Sequence, residues 1–173
     1  MQFKNLLFDR DGVINEVVIR ENGLISSPRS ADEYNFKKDF LDFIPVLEKL
    51  NVNSFVVSNQ PDIGRGLMTW ESLIEINNII LNKYKFTEIV CCTDSDNNSP
   101  DKKPNPGMIL KLIDKYNLNP GETVMIGDMW KDIMAAKSAG IKSVFVKNSH
   151  SDLKNSIPDF TINNLSELIN IIK

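Results

Sequence analysis

Two carboxylates separated by a single residue, Asp9 and Asp11, directly follow the apolar run Leu6–Phe8. A short apolar run of this kind predicts a buried strand. Side chains alternate between the two faces of a strand, so both acids project to the same side if the extended backbone continues. Two like charges held this close are unfavourable unless a cation lies between them or one acid is protonated. A Mg²⁺-binding phosphoryl-transfer site supplies that cation, whereas Asp-x-Asp-Gly taken alone favours a solvated strand-to-turn junction.

Three later segments repeat the pattern of an apolar strand followed by polar or charged residues. Ser58 and Asn59 end the second predicted strand. Lys102 and Lys103 lie in the loop after the third strand, and Asp128 ends the fourth. Each of these residues taken singly favours a helix cap, a turn or a solvated loop. Because ligands bind beyond the carboxyl ends of the strands in an open parallel sheet, the strand ends together favour one shared site.

The elements that must position these groups alternate between strands and helices. Strands are predicted over residues 6–8, 53–60, 88–93, 123–128, 143–146 and 160–162. Asp42 is predicted to cap a helix that has Pro45 in its first turn, and Thr69 is predicted to cap the next helix. Residues 16–38 have no periodic apolar pattern and predict a long loop or small flap over the first strand end. Strands this apolar predict an α/β fold with a mainly parallel sheet covered on both faces.

The composition is that of a globular protein, and we expect one domain spanning residues 1–173. Hydrophobic residues make up 42% and charged residues 25% of the chain, and the net charge of −3 includes no basic stripe, so nucleic-acid binding is not expected. No apolar run approaches the ~20 residues of a membrane helix, and no signal-peptide pattern is present. Cys91 and Cys92 are the sole cysteines, which argues against a disulfide scaffold and for a cytoplasmic location. We expect a monomer.

Phosphoryl transfer assigns a role to each of these groups. Asp9 is predicted to attack phosphorus and form an acyl phosphate, which divides one difficult hydrolysis into two easier steps. Asp11 is predicted to protonate the departing alkoxide and then to accept a proton from the water that cleaves the intermediate. Asp9 and Asp128 are predicted to hold Mg²⁺. The Ser58 hydroxyl and the Lys103 ammonium are predicted to bind phosphate oxygens.

Four motifs occur together in the order of a known family: Phe8–Asn15, Ser58–Gln60, Lys103–Met108 and Gly127–Asp132. The set resembles the haloacid dehalogenase superfamily, and more narrowly its histidinol-phosphate and D-glycero-D-manno-heptose 1,7-bisphosphate phosphatase branch. The similarity covers about residues 3–147. It implies a Rossmann-like, three-layer α/β/α fold without a large cap, dependence on Mg²⁺ and a small sugar phosphate as substrate.

The resemblance also implies further site residues. Asn59 and Gln60 join Ser58 in substrate or phosphate binding, and the backbone carbonyl of Asp11 joins the metal ligands. Further residues favour the heptose bisphosphate group within the branch: Asn15, Ser26–Pro28 and Ile63–Gly66.

Two departures from the family pattern leave the sugar open. Many relatives hold a structural zinc with three cysteines and a histidine in the loop before the lysine motif. This chain has only Cys91, Cys92 and the single His150, so we predict no structural zinc. Lys102 stands where heptose-bisphosphate relatives often have arginine, which keeps the charge and loses planar two-point recognition of phosphate.

Several charged residues near the motifs have two interpretations. Lys102 either binds a second phosphate of a bisphosphate substrate or is solvated beside Lys103. Arg65 either reaches the substrate or is an exposed loop arginine. Asp132 is predicted to support the site from the first turn of a helix rather than to bind metal directly. His150 lies in a polar segment and is predicted to be a surface residue rather than a catalyst.

We therefore expect a phosphoric monoester hydrolase whose leading substrate is D-glycero-D-manno-heptose 1,7-bisphosphate, with histidinol phosphate as the alternative substrate. A phospho-acceptor signalling domain is the alternative from a different class, because it also places an aspartate, a hydroxyl group and a lysine around Mg²⁺. Such a domain typically lacks an acid two residues after the acceptor, since its acyl phosphate must persist. Asp11 is the residue that favours the enzyme.

Overall fold

The computed structural model describes residues 3–172, in which strands and helices alternate as predicted. The strands are β1 (Asn5–Phe8), β2 (Val18–Ile19), β3 (Ile25–Ser26), β4 (Asn53–Asn59), β5 (Glu88–Cys92), β6 (Thr123–Gly127), β7 (Lys142–Val146) and β8 (Phe160–Ile162). The helices are α1 (Lys38–Leu47), α2 (Trp70–Lys83), α3 (Gly107–Tyr116), α4 (Trp130–Ser138) and α5 (Ile169–Ile172). Short 3₁₀ turns cover Ala31–Glu33, Pro120–Glu122 and Leu165–Leu168. Within residues 3–172, no helix has the length and apolarity that crossing a bilayer requires.

The main sheet is parallel throughout, with the strand order β5–β4–β1–β6–β7–β8. The chain moves outward from β1 through β4 to β5, then returns to the other side of β1 and continues through β6 and β7 to β8. The strand order therefore reverses between β1 and β6, which is where open α/β sheets bind ligands. Phe8 of β1 pairs with Ile126 of β6, so Asp9 and Asp128 follow two neighbouring strand ends at this point.

Two apolar layers cover the sheet, because the strand side chains alternate between its faces. Leu6 and Phe8 belong to the core on the face covered by α1 and α2, whereas Leu7 belongs to the core beneath α3 and α4. The predicted three-layer α/β/α fold with a parallel sheet is confirmed. Cys91 and Cys92 pack on opposite faces of β5, so these two thiols do not converge on one ligand.

Helix α1 begins at Lys38 and its N-cap is Lys37, five residues before the predicted cap Asp42, so Pro45 lies inside the helix rather than in its first turn. An internal proline costs about 3 kcal/mol or more. The longer helix buries four large side chains, Phe40, Phe43, Ile44 and Leu47, each worth roughly 1.5–3 kcal/mol. Burial of this face therefore outweighs the local penalty at Pro45.

The segment of residues 16–37, which we call the flap, contains the antiparallel hairpin of β2 and β3 in place of a second domain. The Arg20 guanidinium holds the flap together, because it donates to Ser26 Oγ at 2.7 Å and to Glu33 Oε1 at 2.5 Å. Arg29 attaches the flap to the loop after β4 through Nε and Asp62 Oδ2, which are 2.7 Å apart. The small flap predicted from the polar pattern is therefore a tethered hairpin.

Candidate active site

A cavity of about 340 Å³ opens at the carboxyl edge of the sheet, beneath the flap. Asp9 and Asp11 line it from the end of β1, Asp128 from the end of β6, and Lys103 from the loop after β5. Three of the four predicted strand ends thus supply charged side chains to one cavity. Asn59 and Gln60 reach the same cavity from the end of β4.

Three carboxylates meet at the reversal point of the sheet. Asp9, Asp128 and Asp132 each offer an oxygen, and these oxygens lie within 4.8 Å of one another. Asp128 is buried, and its Oδ1 has no hydrogen-bond partner among the described residues. Buried polar atoms are nearly always satisfied, so this oxygen points to a ligand. A hard divalent cation such as Mg²⁺ fits this all-oxygen set.

Gly12 allows the backbone to pass directly beside Asp128. A Cβ atom at this position would come within 2.7 Å of Asp128 Cγ and 2.9 Å of His150 Nε2, and closer still to Asp128 Oδ2. The residue also adopts a φ of +85°, which favours glycine. The turn after β1 therefore requires glycine for both space and backbone conformation.

Lys103 is buried and its ammonium has a partner for each of its donors. Nζ lies 2.8 Å from Asp9 Oδ1 and 2.6 Å from Asp132 Oδ1, and it donates to the Val57 carbonyl at 2.7 Å. The amide of Asn59 fixes the lysine backbone, since its Nδ2 donates to the Lys103 carbonyl and its Oδ1 accepts from the Lys103 N–H, both at 2.9 Å. Asn59 therefore positions the lysine, a role that sequence reasoning missed.

Burial and neighbouring charges shift the pKa values of the three carboxylates and of Lys103. Burial raises the pKa of Asp9 from 3.8 to about 7, and the Asp132 charge adds to that rise, while Lys103 counteracts it. Burial also raises the pKa of Asp128 and of Asp132. Burial lowers the pKa of Lys103, but the charges of Asp132 and Asp9 outweigh this and raise it overall. A site in which acids outnumber the lysine has the charge balance that favours an added cation.

The Asp11 carboxylate accepts hydrogen bonds from four side chains. Its Oδ1 accepts from Arg10 Nε at 3.2 Å and from Asn15 Nδ2 at 2.9 Å. Its Oδ2 accepts from Ser27 Oγ at 2.9 Å and from Gln60 Nε2 at 2.7 Å. Burial raises the pKa of Asp11, but the Arg10 charge and these hydrogen bonds outweigh it and hold the pKa below its usual value. Arg10, which is fully buried, was not identified from the sequence.

His150 is not the surface residue that its polar segment predicted. Its side chain is only 12% exposed, and Nε2 lies 2.8 Å from Asp128 Oδ2. Asn148 in the same loop donates to the Gly12 carbonyl at 2.7 Å and lies 3.4 Å from the same Asp128 oxygen. The signal that could have found His150 is positional, because the residue follows β7, the neighbour of β6 in the sheet.

Two further lysines line the cavity, and their surroundings differ from that of Lys103. Lys102 is 3% exposed, and its Nζ donates to the Ser95 carbonyl at 2.8 Å and to Asn97 Oδ1 at 2.9 Å, so the solvated interpretation is wrong. Lys131 is half-buried at the start of α4. Burial lowers the pKa of Lys131, and the nearby positive charge of Lys102 lowers it further.

Known proteins of similar sequence are hydrolases and sugar phosphate phosphatases. A family model described as HAD-hydrolase-like matches residues 101–168. The chain is 29% identical over 170 residues to D-glycero-beta-D-manno-heptose-1,7-bisphosphate 7-phosphatase of Neisseria meningitidis, covering 91% of this chain and 87% of the relative. It is 28% identical to the corresponding alpha-anomer phosphatase of Burkholderia mallei, covering 82% of this chain and 78% of the relative.

A solved structure shares the whole fold. The D,D-heptose 1,7-bisphosphate phosphatase from B. bronchiseptica, crystallised with magnesium and phosphate, superposes with a TM-score of 0.81. The match covers 98% of both chains at 22% identity. The chain is thus similar to haloacid dehalogenase-like hydrolases in sequence and in fold. The resemblance and the enzyme class predicted from the sequence, a phosphoric monoester hydrolase, are both confirmed.

The remaining predicted site residues lie around the charged centre. Ser58 is completely buried, and its Oγ accepts a hydrogen bond from Gln60 Nε2 at 2.8 Å. Arg65 lines the rim of the cavity with a side chain that is 51% exposed, and it pairs with Asp62 Oδ1 at 3.1 Å. Arg65 therefore lines the cavity while half of its side chain is exposed to solvent.

Asp132 contacts the groups that its predicted supporting role requires. One carboxylate oxygen pairs with Lys103, and the other accepts a hydrogen bond from the Met129 N–H at 3.0 Å. The first turn of α4 is closed by this contact. Both oxygens of Asp132 thus have partners within the protein, in contrast to Oδ1 of Asp128.

Proposed function

We propose that this hydrolase is a Mg²⁺-dependent phosphatase that removes the 7-phosphate of D-glycero-D-manno-heptose 1,7-bisphosphate through an aspartyl-phosphate intermediate. The observation that carries the proposal is the meeting of Asp9, Asp128 and Lys103 in one cavity at the reversal point of the sheet. The names of relatives that align with most of the chain support the substrate.

The first chemical step is attack by Asp9 on phosphorus. An Asp9 carboxylate oxygen forms a bond to phosphorus, and the bond from phosphorus to the sugar oxygen breaks. Asp11 donates a proton to that oxygen, so that the sugar departs as an alcohol and Asp11 becomes a carboxylate. In the second step Asp11 accepts a proton from water, whose oxygen attacks phosphorus and releases Asp9 and inorganic phosphate.

Mg²⁺ would be held by Asp9 and Asp128, with the Asp11 carbonyl as a further ligand that the family resemblance implies. When bound, it supplies positive charge that neutralises phosphate oxygens in the transition state. Lys103 contributes a second positive charge from within the protein, and Asp132 keeps that ammonium in place. The Ser58 hydroxyl, whose oxygen accepts a hydrogen bond from Gln60, would donate its own proton to a phosphate oxygen.

Asp11 needs a proton before it can act as the acid. Its four hydrogen-bond donors hold it as a carboxylate in the substrate-free protein. A phosphate dianion that enters the cavity raises the pKa of a neighbouring carboxyl group, because like charges disfavour the ionised form. Substrate binding therefore promotes protonation of Asp11.

We also propose that residues 1–173 act as one domain in the cytoplasm. The continuous sheet from β5 to β8 supports one domain, since strands from both halves of the chain pair within it. Both cysteines are free, which is compatible with a reducing compartment.

The test is a phosphate-release assay with purified protein on the 1,7-bisphosphate in both anomeric forms, the heptose 7-phosphate and histidinol phosphate. We expect the highest kcat/KM for a heptose bisphosphate, loss of activity in EDTA and recovery with Mg²⁺. Asp9→Asn should reduce kcat at least about a thousandfold, because the nucleophile is lost. Asp11→Asn should reduce kcat by about 10²–10⁴ and allow aspartyl phosphate to accumulate.

Control measurements separate lost chemistry from lost folding. Both variants should keep the wild-type circular dichroism spectrum and a cooperative thermal transition. Full activity in EDTA would reject the metal assignment, and activity retained by Asp9→Asn would reject the nucleophile. Preference for histidinol phosphate would transfer the proposal to the alternative substrate.

A further inference from the structure

The two oxygens of the Asp11 carboxylate face different parts of the protein. Oδ1 accepts hydrogen bonds from Arg10 and Asn15, which are both fully buried and lie outside the lining of the cavity. Oδ2 accepts hydrogen bonds from Ser27 and Gln60, and both of these residues line the cavity. Oδ2 is therefore the oxygen on the cavity side, where a substrate reaches it.

Ser27 differs from the other three donors because it belongs to the flap. Arg10 and Asn15 lie in the turn after β1, and Gln60 directly follows β4, so these three residues lie at the carboxyl edge of the main sheet. Ser27 directly follows β3, and its Oγ lies 2.9 Å from Asp11 Oδ2. Within residues 3–172, Ser27 is the flap's one side-chain hydrogen bond to this carboxylate.

Contacts of the flap fix the backbone that carries the Ser27 side chain. The Arg20 guanidinium donates from Nη2 to the Ser27 carbonyl at 2.9 Å, and the Ser26 hydroxyl donates to the same carbonyl at 3.2 Å. Two residues further along the chain, Arg29 pairs with Asp62. The Ser27 hydroxyl is thus presented to the catalytic acid by a backbone that is held on both sides.

The Ser27 hydroxyl has a chemical property that the other donors to Asp11 lack. The N–H groups of Arg10, Asn15 and Gln60 can only donate, whereas a hydroxyl group both donates and accepts. In the proposed first step a proton passes from Asp11 to the sugar oxygen as the bond from that oxygen to phosphorus breaks. In the second step Asp11 takes a proton from water. Ser27 keeps its own proton throughout, and its hydroxyl can turn to contact either form of the carboxyl group.

We propose that Ser27 is a positioning residue for proton transfer, because its hydroxyl aims Asp11 Oδ2 at the oxygen that leaves phosphorus. This inference rests on the proposed function, since it takes Asp11 as the acid and base. Arg10 holds Oδ1 from behind the cavity, and Ser27 holds Oδ2 from the flap. The acid is therefore fully oriented only when the flap lies over the site, which joins the position of the flap to the chemical step.

Ser27→Ala removes the hydroxyl, and Ser30→Ala is its matched control. Ser30 lies in the same flap, its side chain makes no capping hydrogen bond, and it is outside the lining of the cavity. Ser27→Thr keeps a hydroxyl at the same position of the side chain. Asp11→Asn removes the acid altogether and sets the largest expected effect. Thermal melting of each variant checks that the fold is intact.

The readout compares two substrates whose leaving groups differ in their need for a proton. Heptose 1,7-bisphosphate releases a strongly basic alkoxide, which needs an acid, whereas p-nitrophenyl phosphate releases a weakly basic phenolate, which does not. Each reaction is followed by rapid quench in a single turnover, with protein in excess over substrate and with saturating Mg²⁺. A single turnover reports attack by Asp9 and loss of the leaving group, and it does not depend on the later hydrolysis of the aspartyl phosphate.

We expect Ser27→Ala to slow release from heptose 1,7-bisphosphate by about tenfold to a hundredfold, as for the loss of one hydrogen bond to a charged group. Release from p-nitrophenyl phosphate should change by less than about threefold. The loss should appear in the maximal single-turnover rate and not in the protein concentration that gives half of that rate. Ser27→Thr should restore most of the rate, and Ser30→Ala should match wild type with both substrates.

Asp11→Asn separates failure of the positioning role from failure of the proposed function. If Asp11→Asn slows the sugar phosphate selectively and Ser27→Ala does not, the positioning role is wrong and the function stands. Equal slowing of both substrates by Ser27→Ala would also overturn the positioning role, because a serine that only supports the fold affects both. If Asp11→Asn slows both substrates equally, the acid assignment in the proposed function is wrong, and the positioning role with it.

The identity of the sugar does not decide this test. Histidinol phosphate also releases an alkoxide, so it takes the place of heptose bisphosphate if it is the substrate that the protein hydrolyses. A selective loss in Ser27→Ala on histidinol phosphate would then support the positioning role while the proposed substrate is wrong.

Discussion

At the scale of single residues, Lys103 neutralises buried carboxylates in addition to its predicted role in binding phosphate. Its three donors contact Asp9, Asp132 and the Val57 carbonyl, so the ammonium is already saturated. Removing one partner of a buried ion pair costs about 3–5 kcal/mol, because the other charge is left uncompensated. Asp132 retains the lysine while Asp9 engages phosphorus. The lysine therefore balances the site both before and during the reaction.

His150 provides the first prediction at this scale. Its contact with Asp128 Oδ2 fixes the carboxylate and leaves Oδ1 as the oxygen without a partner. We expect His150→Ala to weaken Mg²⁺ binding by about tenfold to a hundredfold, the usual effect of removing a residue that orients a ligand. The measurement is the Mg²⁺ dissociation constant from calorimetric titration, which does not depend on turnover.

The control for this prediction is Lys147→Ala, an exposed residue in the same loop. It should leave Mg²⁺ binding unchanged. His150→Gln should restore part of the affinity, because its amide can donate to the same carboxylate oxygen. Equal Mg²⁺ affinity in wild type and His150→Ala would mean that the histidine only packs against Asp128.

At the scale of elements, the sequence was most informative where apolar strands end in polar residues. Asp9, Asp11, Lys103 and Asp128 were predicted to share one site, and they line one cavity. The boundary of α1 was wrong, because local helix rules place Pro45 early and do not include the burial of Phe40 against the sheet. His150 was missed because the fold of an irregular loop leaves no periodic pattern in the sequence.

The flap provides a prediction for an element as a whole. Arg29 ties it to Asp62 through a partly buried ion pair, with side chains that are 28% and 10% exposed. We expect Arg29→Met to raise amide hydrogen exchange in residues 17–27 by about threefold to tenfold, as for the loss of roughly 1 kcal/mol. The KM for substrate should rise with it, because the flap covers the cavity. Hydrogen exchange read by mass spectrometry measures the first effect.

Lys38→Met is the matched control for the flap. It breaks an ion pair with Asp42 on the exposed surface of α1, where the side chains are 86% and 62% exposed. Exposed pairs of this kind contribute little, so exchange in the flap should not change. Equal effects of Lys38→Met and Arg29→Met would show that general destabilisation, and not the tie to Asp62, controls the flap.

At the scale of the whole molecule, the fold concentrates like charge to make a site, and this lowers the stability of the metal-free protein. Asp9 has a folded-state pKa of about 7 against an ordinary value of 3.8, because burial and Asp132 both disfavour its charge. Between these two values the folded state binds more protons than the unfolded state. The free energy of unfolding therefore falls as pH rises through this range. Asp128 and Asp132 have raised pKa values and act in the same direction.

The last prediction follows from this fall in the free energy of unfolding as pH rises. In EDTA, the thermal midpoint should rise as pH is lowered from 8 to 6, by about 2–4 °C for roughly 1 kcal/mol in a protein of this size. Saturating Mg²⁺ should raise the midpoint at pH 8 more than at pH 6, because the cation binds ionised carboxylates and competes with protons. Asp9→Asn should remove most of the pH-dependent gain in EDTA, since it abolishes the titrating group without adding charge. A midpoint in EDTA that falls steadily from pH 8 to 6 would show that the buried acids do not control stability in this range.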